Sequence, residues 1–104
     1  GDLITVAMSG PHGKPRPAVV IQSDVFQKME SVTFLPMTSD VTVARLFRVS
    51  IKPSSDNGLK FLSQVMADKC MTLPCEKAGP VFGRLSPEDM NAVNRALAIF
   101  LGIV

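Results

Sequence analysis

Apolar positions fall into short runs separated by proline- and glycine-rich stretches, and only the last segment keeps a helical period. Leu3 to Met8 (LITVAM) predicts a strand, and Ser9 to Pro15 (SGPHGKP), with its glycines and prolines, predicts a loop. Arg16 to Ile21 (RPAVVI) predicts a second strand whose unbroken apolar run implies burial on both faces. Pro17 stands at its start, a position a strand tolerates. Ser23 and Asp24 predict a capped helical turn running to Met29. Val32 to Thr38 (VTFLPMT) predicts a third strand, with Pro36 implying an edge or a bulge. Leu46 to Ile51 alternates: Leu46, Arg48 and Ser50 share one side, Phe47, Val49 and Ile51 the other, as in a half-buried strand. Pro53 to Gly58 (PSSDNG) is a turn-rich connection. Ser63 to Ala67 and Lys69 to Leu73 predict two short strands or one bent strand, and Pro80 to Arg84 predicts the last.

The final segment is a helix with both ends marked. Ser86 is placed to cap it, Pro87 to open it, and Glu88 and Asp89 to face its positive end. Met90, Val93, Leu97, Phe100 and Leu101 then form one apolar stripe that stops near Gly102. Several short strands and one amphipathic helix define an α+β domain, mainly β, with a curled, barrel-like sheet. Residues 1–104 are expected to form a single domain.

Composition narrows the functions available. Apolar residues make up 46% and charged residues 19%, which excludes a disordered chain. Lys and Arg number 11 against 9 Asp and Glu, a net charge of +2, so any nucleic-acid surface must be a local patch. No apolar run approaches the ~18 residues of a membrane span, and no secretory leader is expected. Cys70, Cys75 and a single His fall short of the roughly four ligands of a structural zinc site. No metal or cofactor is therefore expected, and both thiols read as plain structural residues. Trp and Tyr are absent, and with six Phe in the chain a reading built on aromatic stacking platforms is weakened.

Four places carry candidate chemistry. Arg16 lies between Pro15 and Pro17, so its guanidinium leaves a stiff backbone and suits bidentate phosphate binding; a surface Arg closing a strand end is the alternative. Thr38 and Ser39 put two hydroxyls at a strand end, able to bond a phosphate or to cap a turn. His12 has the one side-chain type that titrates near neutrality, which makes it an acid–base candidate or a solvated loop residue. Asp68 adjoins Lys69, either at a site or as an exposed ion pair.

These residues stand in a familiar order. Gly1-Asp2-Leu3-Ile4, Gly13-Lys14-Pro15-Arg16-Pro17-Ala18-Val19-Val20-Ile21, Leu35-Pro36-Met37-Thr38-Ser39 and Gly83-Arg84-Leu85-Ser86-Pro87-Glu88 together resemble the MazF/PemK (Kid-like) toxins of bacterial type II toxin–antitoxin systems. The likeness spans nearly the whole chain. It implies a small SH3-like curled β-barrel with a C-terminal helix, a homodimer, and a cytoplasmic toxin that stops translation and growth. The implied activity is metal-independent, sequence-specific cleavage of single-stranded RNA by attack of a ribose 2′-hydroxyl on the adjacent phosphate. Arg16 and Thr38 match the family's cleavage-site Arg and Thr. Lys14, Ser39, Asp68 and Lys69 are expected to bind substrate, with Lys52 and Lys60 as further candidates for a basic groove. A cognate antitoxin that covers the groove is the implied protein partner. Two departures stand out: the Ser9–Pro15 loop is short and carries His12, and Met66 and Ala67 precede Asp68 where some relatives place an Arg. The tail Ala98-Ile99-Phe100-Leu101-Gly102-Ile103 also resembles CcdB, a toxin of the same fold that binds DNA gyrase, although Leu101 stands where CcdB has Trp.

Overall fold

The computed structural model describes residues 1–7, 14–41 and 46–103. Its elements run β1 (Asp2–Ala7), β2 (Pro15–Val20), β3 (Ser31–Thr38), β4 (Arg48–Ile51), β5 (Ser63–Met66), β6 (Met71–Pro74), β7 (Ala78–Arg84) and α1 (Pro87–Leu101). Single 3-10 turns cover Asp24–Phe26, Ala67–Lys69 and Cys75–Lys77. All pairings are antiparallel, in the order β4-β5-β3-β2-β1-β7, with β6 on the first half of β3. β4 and β7 end this path without pairing to each other, so the sheet is open rather than a closed barrel.

Proline explains several departures from the sequence expectations. β3 is an interior strand, not an edge, despite Pro36. Along its length it exchanges β6, paired through Phe34, for β5, paired from Met37. Pro36 falls between the two partners, where a missing N–H interrupts neither ladder. In β2, Pro15 and Pro17 precede Ala18, the first residue that pairs with β3. The two short strands after Ser63 are separate: Ala67–Lys69 turns as 3-10 helix, so Lys69 lies outside any strand. Leu46 and Phe47 form a turn ahead of β4, and the Phe47 carbonyl accepts the Ala67 N–H at 2.9 Å.

The apolar run of β2 is buried on both faces, as its pattern predicts. Val19 joins Leu3, Leu35, Met37, Ile51, Val65 and the inner side of α1. Ala18 joins Ile4, Val6, Val32 and Phe34 on the opposite face. Phe34, Leu3, Leu35 and Met37 are fully enclosed, each worth roughly 1.5–3 kcal/mol of transfer free energy.

The helix has the ends its sequence marks. Ser86 Oγ accepts the Asp89 N–H at 3.1 Å, and Gly102 takes the left-handed conformation, φ +72°, donating back to Ala98 and Ile99. That closure needs a residue without a Cβ penalty. Val93 and Ala96 face the core, with Met90 and Leu97 packed against it. The stripe does not stay buried to its end. Phe100 and Leu101 are half exposed, with the Phe100 ring edge-on to Phe47 at 6.4 Å.

Candidate functional site

The site begins where β2 and β3 stop pairing. Val20 faces Phe34, Val19 faces Leu35 and Ala18 faces Pro36; the ladder goes no further. The next position on β2 is Pro17, opposite Met37, and it brings no N–H to extend the bonds. Beyond the end of that ladder, Arg16 and Lys14 from β2 and its approach line the same groove as Thr38 and Asp40 at the end of β3. Residues far apart in sequence thus come to one groove where the β2–β3 ladder ends. A groove of about 650 Å³ opens there, with Lys14, Arg16 and Pro17 on one wall and Thr38, Ser39 and Asp40 on another.

Loop 53–59 and β7 supply the remaining wall. Gly58, Leu59, Lys60 and Phe61 line it together with Phe82 of β7. The loop is fixed by Asn57, which is 2% exposed. Its Oδ1 accepts the N–H groups of Ser54 and Leu59, both at 2.9 Å, and its Nδ2 donates to the Lys52 carbonyl at 2.9 Å. The Asn57 N–H returns a bond to Ser54 Oγ at 3.1 Å. The Arg84 N–H donates to the Asp56 carbonyl at 2.9 Å and ties the loop to β7. Gly83 is needed at this crossing, because a Cβ there would run into the backbone oxygen of Asn57.

Charge and hydrogen bonding give the groove its chemistry. Lys14, Arg16 and Lys60 project into it, and Asp40 is the one acid among its lining residues. None of the three cations is in the ion pairs of the described residues, which join Arg84 to Asp2 and Lys69 to Asp68. Thr38 is nearly buried, and its Oγ1 accepts the Asp40 N–H at 3.1 Å. The turn-capping role expected of this hydroxyl is therefore present. It uses only an acceptor lone pair, so the hydroxyl proton remains free to donate. A cationic fork opposite an oriented hydroxyl is an arrangement suited to holding a phosphate diester.

The structure separates the other expected site residues. Ser39 and Lys60 line the groove; Asp68, Lys69 and Lys52 do not. Asp68 and Lys69 occupy the 3-10 turn, where one Asp68 oxygen lies 3.6 Å from Lys69 Nζ and the other is buried without a partner. Their adjacency in the sequence reflects a local ion pair. His12 lies outside the described residues. Cys70 and Cys75 are free thiols on the surface, away from the groove. No group of three or more His, Cys, Asp or Glu gathers among the described residues, and no helix of the structure is long and apolar enough to cross a membrane.

The sequence pattern does not mark Phe61, Phe82 or Asn57 as site residues. Each belongs to a segment that reaches the groove only through the tertiary crossing of loop 53–59 over β7. The Asp56-Asn57-Gly58 run is the one local signal, and it announces a turn without saying what the turn faces.

A small antiparallel sheet, a C-terminal helix and a groove carrying three cations and one acid define a compact, mainly β domain with an open binding cleft. Residues 1–101 match the PemK-like, MazF-like toxins of type II toxin–antitoxin systems, and the chain belongs to that family. It is 43% identical over 104 residues to a probable endoribonuclease MazF of Mycolicibacterium smegmatis (strain ATCC 700084 / mc(2)155), covering 99% of this chain and 95% of that one. The Mycobacterium tuberculosis toxin MazF-mt6 superposes with a TM-score of 0.80 at 25% identity, over 96% of both chains. A mycobacterial endoribonuclease in complex with its cognate antitoxin superposes at 0.81 with 23% identity, over 99% of this chain and 94% of that one, a likeness of fold.

Proposed function

We propose that this chain is the toxin of a type II pair and a metal-independent endoribonuclease that cuts single-stranded RNA at a short sequence motif. The observation that carries the reading is that Arg16 and Thr38 line one groove beyond the end of the β2–β3 ladder, together with Lys14, Lys60 and one acid, Asp40. In the reaction the 2′-oxygen bonds to phosphorus and the bond to the 5′-oxygen breaks. The 2′-hydroxyl proton leaves to a base, and the 5′-oxygen gains one, giving a cyclic phosphate and a 5′-hydroxyl end. Negative charge builds on the non-bridging oxygens. The Arg16 guanidinium and the Thr38 hydroxyl offset it without reorganising. The Arg16 guanidinium offers donors and no acceptor, so proton transfer falls to another group. His12 is assigned that role by its residue type.

One domain over residues 1–104 carries the activity, in the cytoplasm, as a homodimer whose RNA groove is covered by a cognate antitoxin. The half-exposed apolar end of α1, Ile99 to Leu101, offers surface for such contacts. An SH3-like curl is supported by β3, which meets β2 along one side and β6 then β5 along the other. Family membership favours RNA cleavage over the gyrase-binding role of CcdB.

The deciding experiment incubates the purified chain with a long RNA in EDTA and maps the ends produced. Cleavage at one recurrent motif with cyclic phosphate ends is expected. Arg16→Ala should lower the rate by about 10²–10³-fold, and Arg16→Lys should fail nearly as badly for want of the planar fork. Undiminished cutting by Arg16→Ala, or cutting only with added magnesium, defeats the proposal.

A further inference from the structure

Two phenylalanine rings stand open in a groove that also carries three cations. Phe61 is 68% exposed and Phe82 38% exposed, and both line the groove that holds Lys14, Arg16 and Lys60. Neither ring is engaged in the aromatic contact found among the described residues, which joins Phe47 to Phe100. Exposed rings gathered in one concave site mark a place where something flat and apolar sits. The surrounding cations narrow the occupant. A protein segment covering two rings would bring apolar side chains, whereas a nucleotide brings a planar base and a phosphate together. Lys60 directly precedes Phe61 in the chain, so charge and ring are presented side by side.

The subsite has a built frame. Gly58 holds φ +67°, and a Cβ there would lie 3.0 Å from the Phe82 carbonyl oxygen and 3.3 Å from its ring. Only glycine lets the loop rest on Phe82 in this conformation. Asn57, one residue earlier, closes the loop on itself and abuts Gly83, one residue after Phe82. Loop and strand are locked together on either side of Phe82.

From this arrangement we infer that Phe61 and Phe82 form a base-stacking subsite flanked by Lys60, and that Asn57 is the positioning residue that sets it. The subsite deepens the RNA reading of the groove and rests on it. It selects a nucleotide beside the cut, separately from the Arg16 and Thr38 chemistry.

The test uses the full chain and a ten-nucleotide single-stranded RNA centred on the mapped cut, with each nucleotide in turn made abasic. A second set carries a 2′-deoxy nucleotide at the cut so that binding is read without cleavage; ten-nucleotide poly(U) serves if nothing is cut. One abasic position should weaken KM and Kd by roughly 5- to 150-fold. Phe61→Ala and Phe82→Ala should each weaken intact RNA by a factor in that range, and the variants should lose nothing further on the abasic RNA. Phe61→Leu, which keeps bulk without a π face, should behave like Phe61→Ala. Asn57→Ala should raise KM in the same way, and Asn57→Asp, which keeps both acceptor contacts, should recover part of the loss. Phe26→Ala, exposed but away from the groove, should leave KM unchanged. KM within twofold of the parent for both groove variants overturns the inference, as do losses that simply add to the abasic loss. A changed oligomeric state in Phe61→Ala with unchanged RNA affinity makes the rings a protein interface and overturns it too. Shared loss of binding by a chain that cuts no RNA leaves the subsite standing and removes the endoribonuclease reading. No binding of any RNA overturns both.

Discussion

Replacing Asn57 with alanine removes a side chain that organises the whole of loop 53–59. Its oxygen accepts two backbone N–H groups and its nitrogen donates to one carbonyl, each at 2.9 Å. A net contribution of about 1 kcal/mol per bond sets an upper value near 3 kcal/mol. Lys52 and Ser54 are exposed, so water replaces part of what is lost, and the expected destabilisation is about 2 kcal/mol. For a chain of 104 residues, an unfolding entropy of about 2.1 cal/mol/K per residue converts this to a fall in Tm of roughly 9 °C. Differential scanning calorimetry on the purified protein measures it. Ser54→Ala, which removes only the acceptor for the Asn57 N–H, should lower Tm by about 2–5 °C. The double variant should fall short of the sum, because both side chains act in one turn. An Asn57→Ala protein melting within about 2 °C of its parent would show that the loop holds itself by other means and that Asn57 fixes nothing.

Three further outcomes concern the proposed cleavage and RNA binding. Thr38→Val should slow cleavage by about 10²–10³-fold by removing an oriented donor, with a stability change near 1 kcal/mol from the lost Asp40 contact, whereas Thr38→Ser should keep most of the rate; equal rates for Val and Ser variants would leave the hydroxyl without a role. With Lys14, Arg16 and Lys60 each neutralising a phosphate, the slope of log K against log salt for a non-cleavable RNA should be about −2; Lys60→Gln should reduce it by about 0.7, and Lys52→Gln and Lys69→Gln should not change it. His12→Ala should slow cleavage by roughly 10²–10⁴-fold and flatten the rate between pH ~6 and ~7, and a pH–rate profile identical to the parent's would remove His12 from the chemistry.

What the sequence discloses here is mostly what is local. The helix is legible at both ends because Ser86, Pro87 and Gly102 each act on their own backbone. The double burial of β2 is legible because an unbroken apolar run cannot leave one face to water. Arg16 and Thr38 are visible as candidates, but their meeting depends on a register that no single segment contains. Asp68 and Lys69 show the opposite case: adjacency in the chain makes a pair without bringing it to the groove. Phe61, Phe82 and Asn57 stay hidden because their role comes from the loop crossing β7. Pro36 shows how a local rule can be satisfied by topology, since the strand that holds it is central yet changes partner at that point.

The groove draws its walls from the second strand, the third strand, the loop after the fourth and the last strand of the sheet. Such a site has high contact order and cannot mature piecemeal. At about 5–20 residues per second, a ribosome needs roughly 2–9 s to travel from Thr38 to Phe82, and the emerging segment carries Arg16 and Thr38 throughout. Until β7 is released and docks, Arg16 and Thr38 lack the wall that Phe82 supplies. The complete groove is thereby expected only after the last strand has docked.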